Sequence, residues 1–388
     1  MSEHARLRKE LRPHGIVPPA CPDCIHFEDC GGIQPEKALF DCFAQYCLPE
    51  CDRACCDNVC PYNPEFLGFL KEVDGLRFDD LPPVRQALTD LPTYIPLVHH
   101  ASRRRTPLTY PVVALDTYRV FRLVEGEYTA LAGDAEELRR AFCLAPSTRI
   151  ILRGTAKDPA LERYWSYRRR DRAAEQMSRL GVSLVIGPNF SHFLGVPRTD
   201  NLFNRKRQLI CLGEISAAGL SPVPHLSAAQ PGDWWFWSRY LGQNQTITYV
   251  AVEFQTGNKN GTEGRKVIDQ LALVQDAIGR DLHPLAIGGG QFVERLAARF
   301  DRFSLLDSKP FMNAVHRQVF DRTAGKQPWR KSPTSNGEAI DLLLEQNLAG
   351  YATWVEERAR SDRPGSQAGA VGGGAVAQRR TPLPTCSG

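Results

Sequence analysis

Short apolar runs alternate with amphipathic stretches along most of this 388-residue chain. Runs rich in β-branched and aromatic residues occur at Tyr94–His99, Pro111–Val120, Thr148–Leu152 and Val182–Ile186. Four more follow at Ser221–Leu226, Ile247–Phe254, Leu282–Ile287 and Phe303–Leu306. Between them lie helical patterns, clearest at 158–180, 203–218, 262–279, 290–300 and 309–321. The apolar runs are nearly continuous rather than alternating, as strands covered on both faces must be. Strand–helix alternation predicts right-handed βαβ units around a parallel sheet. Eight such strands predict an α/β fold, a (β/α)8 TIM-like barrel preceded by a small cysteine-rich metal-binding module. The 94–147 region reads partly as a hairpin, and an open doubly wound sheet is the alternative. No G-x-G-x-x-G fingerprint follows the first strand, which counts against that alternative.

The pattern divides the chain. Residues 1–20 read as a flexible lead-in, 21–75 as the cysteine-rich module, and 76–360 as the barrel with a C-terminal helix. Within the second segment, 63–78 carries a short helical pattern against the module. Residues 336–359 carry the amphipathic pattern of the last helix. Residues 361–388 are dominated by Gly, Ala, Ser, Pro and Arg and are predicted to be disordered. The composition, 42% hydrophobic and 24% charged, is that of a globular chain with a sizeable core. No stretch approaches the roughly 20 apolar residues that span a bilayer. The charged N-terminus lacks the apolar segment of a secretory signal, so a cytoplasmic protein without a membrane partner is expected.

That compartment decides how the cysteines read. Nine of the twelve fall in one segment: Cys21, Cys24, Cys30, Cys42, Cys47, Cys51, Cys55, Cys56 and Cys60. In a reducing cytosol this density points to metal ligation rather than disulfides. Cys21, Cys24 and Cys30 form a compact set with Cys42 as a fourth ligand. Cys47, Cys51, Cys55 or Cys56, and Cys60 offer a second. Four thiolates bind either tetrahedral zinc or an iron–sulfur cluster; the irregular spacing, without paired C-x2-C knuckles, leans toward at least one iron–sulfur cluster and leaves zinc open. Cys143 and Cys211 lie in apolar helical patterns and read as buried small hydrophobes.

In a barrel the functional groups sit at the carboxyl ends of the strands. Those ends carry His99 and His100 after the first strand, and Lys157 and Asp158 after the third. Asn189, Ser191 and His192 follow the fourth, and His225 the fifth. Glu253 and Gln255 close the sixth, Gly288, Gly289 and Gly290 the seventh, and Asp307 the eighth. Glu253 sits among apolar residues, where a carboxylate is costly unless paired or functional. Asp307 follows the run FSLL and is expected to point into the barrel mouth; the simpler role for it or for Ser308 is a helix cap. Glu253 and Asp307 would then divide nucleophile and acid–base roles. The glycine run permits close backbone approach to a ligand or simply makes a tight turn. The aromatic cluster Trp234, Trp235, Trp237 and Tyr240 is expected to pack an outer helix on the sheet.

Formal charge is +4, with arginine clustered at 103–105, 168–172 and 205–207. Such runs read first as solvated faces and second as a phosphate-contacting surface.

Residues 285–310, LAIGGGQFVERLAARFDRFSLLDSKP, resemble a segment of the tRNA-guanine transglycosylase superfamily, and EFQTG at 253–257 resembles that family's base-recognition strand ends more loosely. The C-x2-C-x5-C run at Cys21, Cys24 and Cys30 resembles cluster-binding segments of iron–sulfur DNA glycosylases and nucleases. The first resemblance implies a TIM-barrel enzyme that exchanges a base in RNA or DNA for a deazapurine. Asp307 falls on the family's nucleophile and Gly288–Gly290 on its glycine-rich turn. Glu253 or His225 would be acid–base, with Asn189, His192, Gln255, Gly288, Gly289 and Gly290 at the substrate. The family's D-S-G-G-F-Q signature is absent, and 311–340 contains no cysteine where its zinc site would fall. The expected function is thus a transglycosylase-like enzyme on a nucleic-acid base, with the metal module structural or nucleic-acid-contacting. The alternative is a non-catalytic nucleic-acid-binding or partner-binding protein of a mobile element or defence island.

Overall fold

A computed structural model describes residues 71–361 except 79, 80, 88, 194–197, 230, 325–327 and 336. The lead-in, all nine clustered cysteines, the first half of the 63–78 helical pattern and the glycine-rich tail lie outside the described residues.

Eight parallel strands form one sheet: β1 Tyr94–Val98, β2 Val112–Asp116, β3 Arg149–Arg153, β4 Leu184–Ile186, β5 Pro222–Val223, β6 Tyr249–Glu253, β7 His283–Ile287 and β8 Ser304–Asp307. Each pairs with its sequence neighbour, and β8 returns to β1 with Tyr94 opposite Leu305. The remaining seam, β5 to β6, is narrow. It closes through one bridge between His225 and Ala251, where Leu226 and Ala251 donate backbone N–H groups at 2.8 Å to Ala251 and Pro224. The sheet is therefore a nearly closed barrel of the TIM type; six of the eight strands fall within the runs expected from the sequence, and β3 and β8 run one residue past theirs, to Arg153 and Asp307.

Side chains alternate across this wall. Ile95, Leu97, Ala114, Ile151, Ile186, Val223, Ala251, Ile287 and Leu306 belong to one buried cluster that fills the barrel. Their neighbours Val98, Leu115, Leu152, Val252 and Leu305 pack outward under the helices. Each Val, Leu or Ile side chain so buried contributes roughly 1.5–3 kcal/mol.

Nine helices of at least seven residues are described around the wall: α1 Ala135–Ala141, α2 Asp158–Tyr167, α3 Ala173–Arg179, α4 Arg198–Ala217, α5 Pro231–Gln243, α6 Gly261–Ile278, α7 Val293–Arg299, α8 Lys309–Val315 and α9 Asp341–Ser361. Their ends follow local chemistry. Asn260 caps α6 by accepting the Thr262 N–H at 2.9 Å, and Gly279 ends it at φ 65°. The pattern at 158–180 splits into α2 and α3 because Arg172 takes a left-handed φ of 53°. The pattern at 309–321 stops at Val315, after which Gln318–Phe320 pairs antiparallel with Trp329–Lys331. The run at 111–120 leaves the wall at Asp116 and leads into a hairpin, Phe121–Val124 with Glu127–Ala130. Helix α9 packs on α7 and α8. Its buried Asn347 accepts the Phe320 N–H at 2.8 Å and donates to the Gln318 carbonyl at 2.9 Å, tying the outer hairpin to it. Among the described residues no helix is long and apolar enough to cross a membrane.

Candidate active site

The pleat decides which strand-end residues reach the mouth. Asp116 lies two beyond inward Ala114, Arg153 two beyond Ile151, and Glu253 two beyond Ala251, so all three face inward. His99, just past β1, joins them. Its Nδ1 lies 2.9 Å from Asp116 Oδ2, and the Arg153 guanidinium pairs with the other carboxylate oxygen. Arg119 adds its Nε at 3.3 Å from Oδ2. The side chains of His99, Asp116 and Arg153 are only 12%, 10% and 11% exposed. Arg153 also reaches across the mouth to Gln255 Oε1 at 3.4 Å.

Burial alone would raise the Asp116 pKa. The hydrogen bond from His99 and the Arg153 charge outweigh it and hold the carboxyl below the usual carboxylate range. An ionised Asp116 accepts a proton-bearing Nδ1, which leaves the lone pair of the neutral imidazole on Nε2. Nε2 makes no hydrogen bond to a described residue. A carboxylate that orients an imidazole in this way is the supporting half of a general acid–base centre. Next to it, burial and then the Arg119 charge lower the pKa of His100, while Arg103 and Arg104 add to the positive field.

The expected site residues divide between the mouth and its surroundings. Glu253 faces inward, but its carboxylate folds onto its own loop, accepting the Gln255 N–H at 2.6 Å and the Thr256 hydroxyl at 2.9 Å. It forms no ion pair with a described residue. Asn189 accepts the Ala156 N–H at 2.9 Å, joining the loops after β3 and β4. Gly288 and Gly289 take φ of 71° and 80°, and a Cβ there would strike the side chains of Gln255 and Phe254 at 2.8 and 2.9 Å. The run thus makes a turn and lets the β6 loop close over it. Gly290 opens the short turn before α7.

Two expectations are corrected. Asp307 does not point into the mouth. With Leu306 inward, the pleat turns Asp307 to the wall side, where it is 4% exposed, accepts the Tyr351 hydroxyl of α9 at 2.9 Å and has Lys309 Nζ at 3.5 Å. It also accepts the Lys309 backbone N–H at 2.9 Å, as a helix-starting residue does. Burial, then the Asp307 charge, raise the Tyr351 pKa, so that phenol stays a donor. The arginine run at 205–207 is neither a solvated face nor a phosphate surface. Arg205 and Arg207 are buried against Asp233 and Glu162, and Lys206 reaches the Arg77 carbonyl. Arg207 also lies over Phe190 and Phe203 at 4.1 and 4.5 Å from the ring centres. Arg169 and Arg172 remain exposed.

His225 is 5% exposed, with Nδ1 3.1 Å from Ser227 Oγ; burial lowers its pKa to about 4. His192 places Nδ1 3.0 Å from the Phe190 carbonyl, and burial, then the Arg205 charge, lower its pKa to about 3. Both rings are neutral near pH 7, which suits hydrogen bonding better than proton transfer. Trp237 is fully buried on α5, in line with its packing role, whereas Trp235 is exposed under Arg239.

Among the described residues no cluster of three or more His, Cys, Asp or Glu could hold a metal ion. No protein-family model matches the chain, and neither does any curated protein.

Proposed function

We propose that this chain is a (β/α)8-barrel enzyme in which His99, oriented by Asp116, moves a proton at the barrel mouth on a negatively charged substrate. The contact of His99 with Asp116 and Arg153 carries the reading: three ionisable groups from consecutive strands meet, nearly buried, at the face where barrels do chemistry. Arg119, half-exposed, and the exposed Arg103 and Lys157 give the rim its affinity for anions.

Within that reading, glycosyl transfer on a nucleotide or nucleic-acid base remains the narrower version implied by the strand-8 resemblance. Its carboxylate would be Glu253 rather than Asp307, because Glu253 is inward and unpaired by any described cation while Asp307 is held by Tyr351 and Lys309. The nine N-terminal cysteines would hold zinc or an iron–sulfur cluster in a structural or nucleic-acid-contacting role.

The test is turnover by full-length protein on sugar phosphates, nucleotides, tRNA and DNA oligonucleotides, with products followed by mass spectrometry. His99→Gln should lose about 10²–10⁴-fold of any activity found. Asp116→Asn should lose a comparable share in kcat with KM little changed, since it acts through His99 and not on the substrate. Activity that survives both substitutions sinks the proposal. Salt-sensitive binding without turnover would favour the non-catalytic alternative.

A further inference from the structure

Past the ends of β4 and β5, two imidazole nitrogens on neighbouring rings have no hydrogen-bond partner among the described residues. A carbonyl oxygen only accepts, so the His192 Nδ1 facing Phe190 carries the ring proton and Nε2 carries the lone pair. That Nε2 is covered and has no partner among the described residues, although His192 as a whole is only partly buried. His225 Nε2 is likewise covered and unpartnered, on a residue that lies two beyond inward Val223. Native interiors rarely leave such atoms unmet, because each has lost its water without gaining a replacement.

The neighbourhood narrows what could meet them. Gln208, fully buried on α4, donates through Nε2 to the His225 carbonyl and so holds the end of β5 in place. Arg205 and Arg207 lie close enough to His192 to disfavour its protonated form, while they pair with Asp233 and Glu162. A cationic ligand would meet the same field. A metal ion would find two imidazoles and no third ligand among the described residues. An uncharged group bearing O–H or N–H donors meets neither obstacle.

We propose that His192 and His225 form the recognition half of the mouth and bind the uncharged, donor-bearing part of the substrate. His192 Nε2 accepts from a hydroxyl or an amide N–H. His225 Nε2 makes a second hydrogen bond, as acceptor or donor according to how the Ser227 hydroxyl is turned. On a nucleotide that part is the sugar or the edge of the base, with the anionic group toward Arg153 and Arg119. This inference rests on the mouth being the substrate site. Burial keeps both rings neutral across the physiological range, so recognition does not switch with pH there.

The test uses full-length protein labelled with 15N-histidine and titrated with adenosine and guanosine 5′-monophosphates, ribose 5-phosphate and the free bases. The Nε2 resonances of His192 and His225 should move on saturation. His192→Phe and His225→Phe should each weaken probe binding about tenfold or more, roughly the worth of one buried hydrogen bond. Movement with ribose 5-phosphate identifies sugar hydroxyls; movement with the bases but not with ribose 5-phosphate identifies the base edge. Rings that stay silent with every probe, meaning atoms met by solvent only, overturn the inference. The wild-type titration decides this even if a variant fails to fold. Silent rings alongside turnover lost in His99→Gln sink the recognition role and leave the acid–base reading standing. Responsive rings in a protein without turnover do the reverse.

Discussion

Buried neutral histidines make this fold sensitive to mild acid. His225 and His283 are 5% and 3% exposed, and burial lowers both pKa values from 6.5 to about 4. His283 Nε2 lies 2.9 Å from Ser304 Oγ, whose hydroxyl donates to the Pro92 carbonyl at 2.7 Å, so Nε2 carries the ring proton. A group whose folded pKa is depressed is protonated more readily in the unfolded chain. The stability it contributes is complete above pH 6.5 and is lost as pH falls toward 4. At pH 5 the loss is on the order of 2 kcal/mol per ring. Asp200 opposes this, because burial raises its pKa to about 6 and the fold is relieved of that cost as pH falls. Asp116, with its lowered pKa, stabilises the fold while ionised and gives that contribution up only as pH falls through the carboxylate range, below this interval. The net expectation is a marked drop in the urea midpoint between pH 7 and pH 5, smaller in His225→Phe. A midpoint that does not change over that interval would show that the rings are not buried as described.

At the scale of strands and helices, the mouth is shaped by how closely β3 and β4 approach beyond their ends. A Cβ on Gly154 would stand 2.4 Å from the Ile186 carbonyl and 2.9 Å from the Gly187 backbone, with no flexible side chain to yield. Gly154 N–H also donates to that Ile186 carbonyl at 2.9 Å. Gly154→Ala should therefore force the two strand ends apart, lower the thermal midpoint and displace Arg153 from Asp116. A midpoint within a degree of wild type would contradict this. The strands themselves were legible because each is buried on both faces, which leaves an unbroken apolar run in the sequence. Helix limits were less so. The breaks at Arg172 and after Val315 come from left-handed residues and from pairing with a distant strand, and neither leaves an apolar signature. Asp307 was misaimed for a related reason: nothing in FSLLD says which residue of β8 faces inward until Leu306 is seen inside the barrel.

For the whole molecule, the order in which the first three strands pair is what creates the candidate site. Asp116 and Arg153 end the apolar runs VVALD and RIILR, and a charge at that position was the available signal. Only the parallel pairing of β1, β2 and β3 brings His99, Asp116 and Arg153 together. The N-terminal cysteines pose the corresponding question for the rest of the chain. Nine thiols between Cys21 and Cys60 will either oxidise in pairs or bind metal, and the two outcomes separate cleanly. Cys143 and Cys211 lie in the barrel and are free, but Cys211 is fully buried and burial pushes its thiol up to about 12, so it is inert in the folded protein. If metal is the answer, protein purified anaerobically should carry zinc, or iron with sulfide, in whole-number ratio to the chain. Cys21→Ser with Cys24→Ser should lower that ratio, and the metal-bearing protein should survive reductant but lose its metal to a strong chelator. Metal-free protein whose mass rises on reduction by paired hydrogens would mean disulfides instead, and would remove the argument for a reducing compartment at the same time.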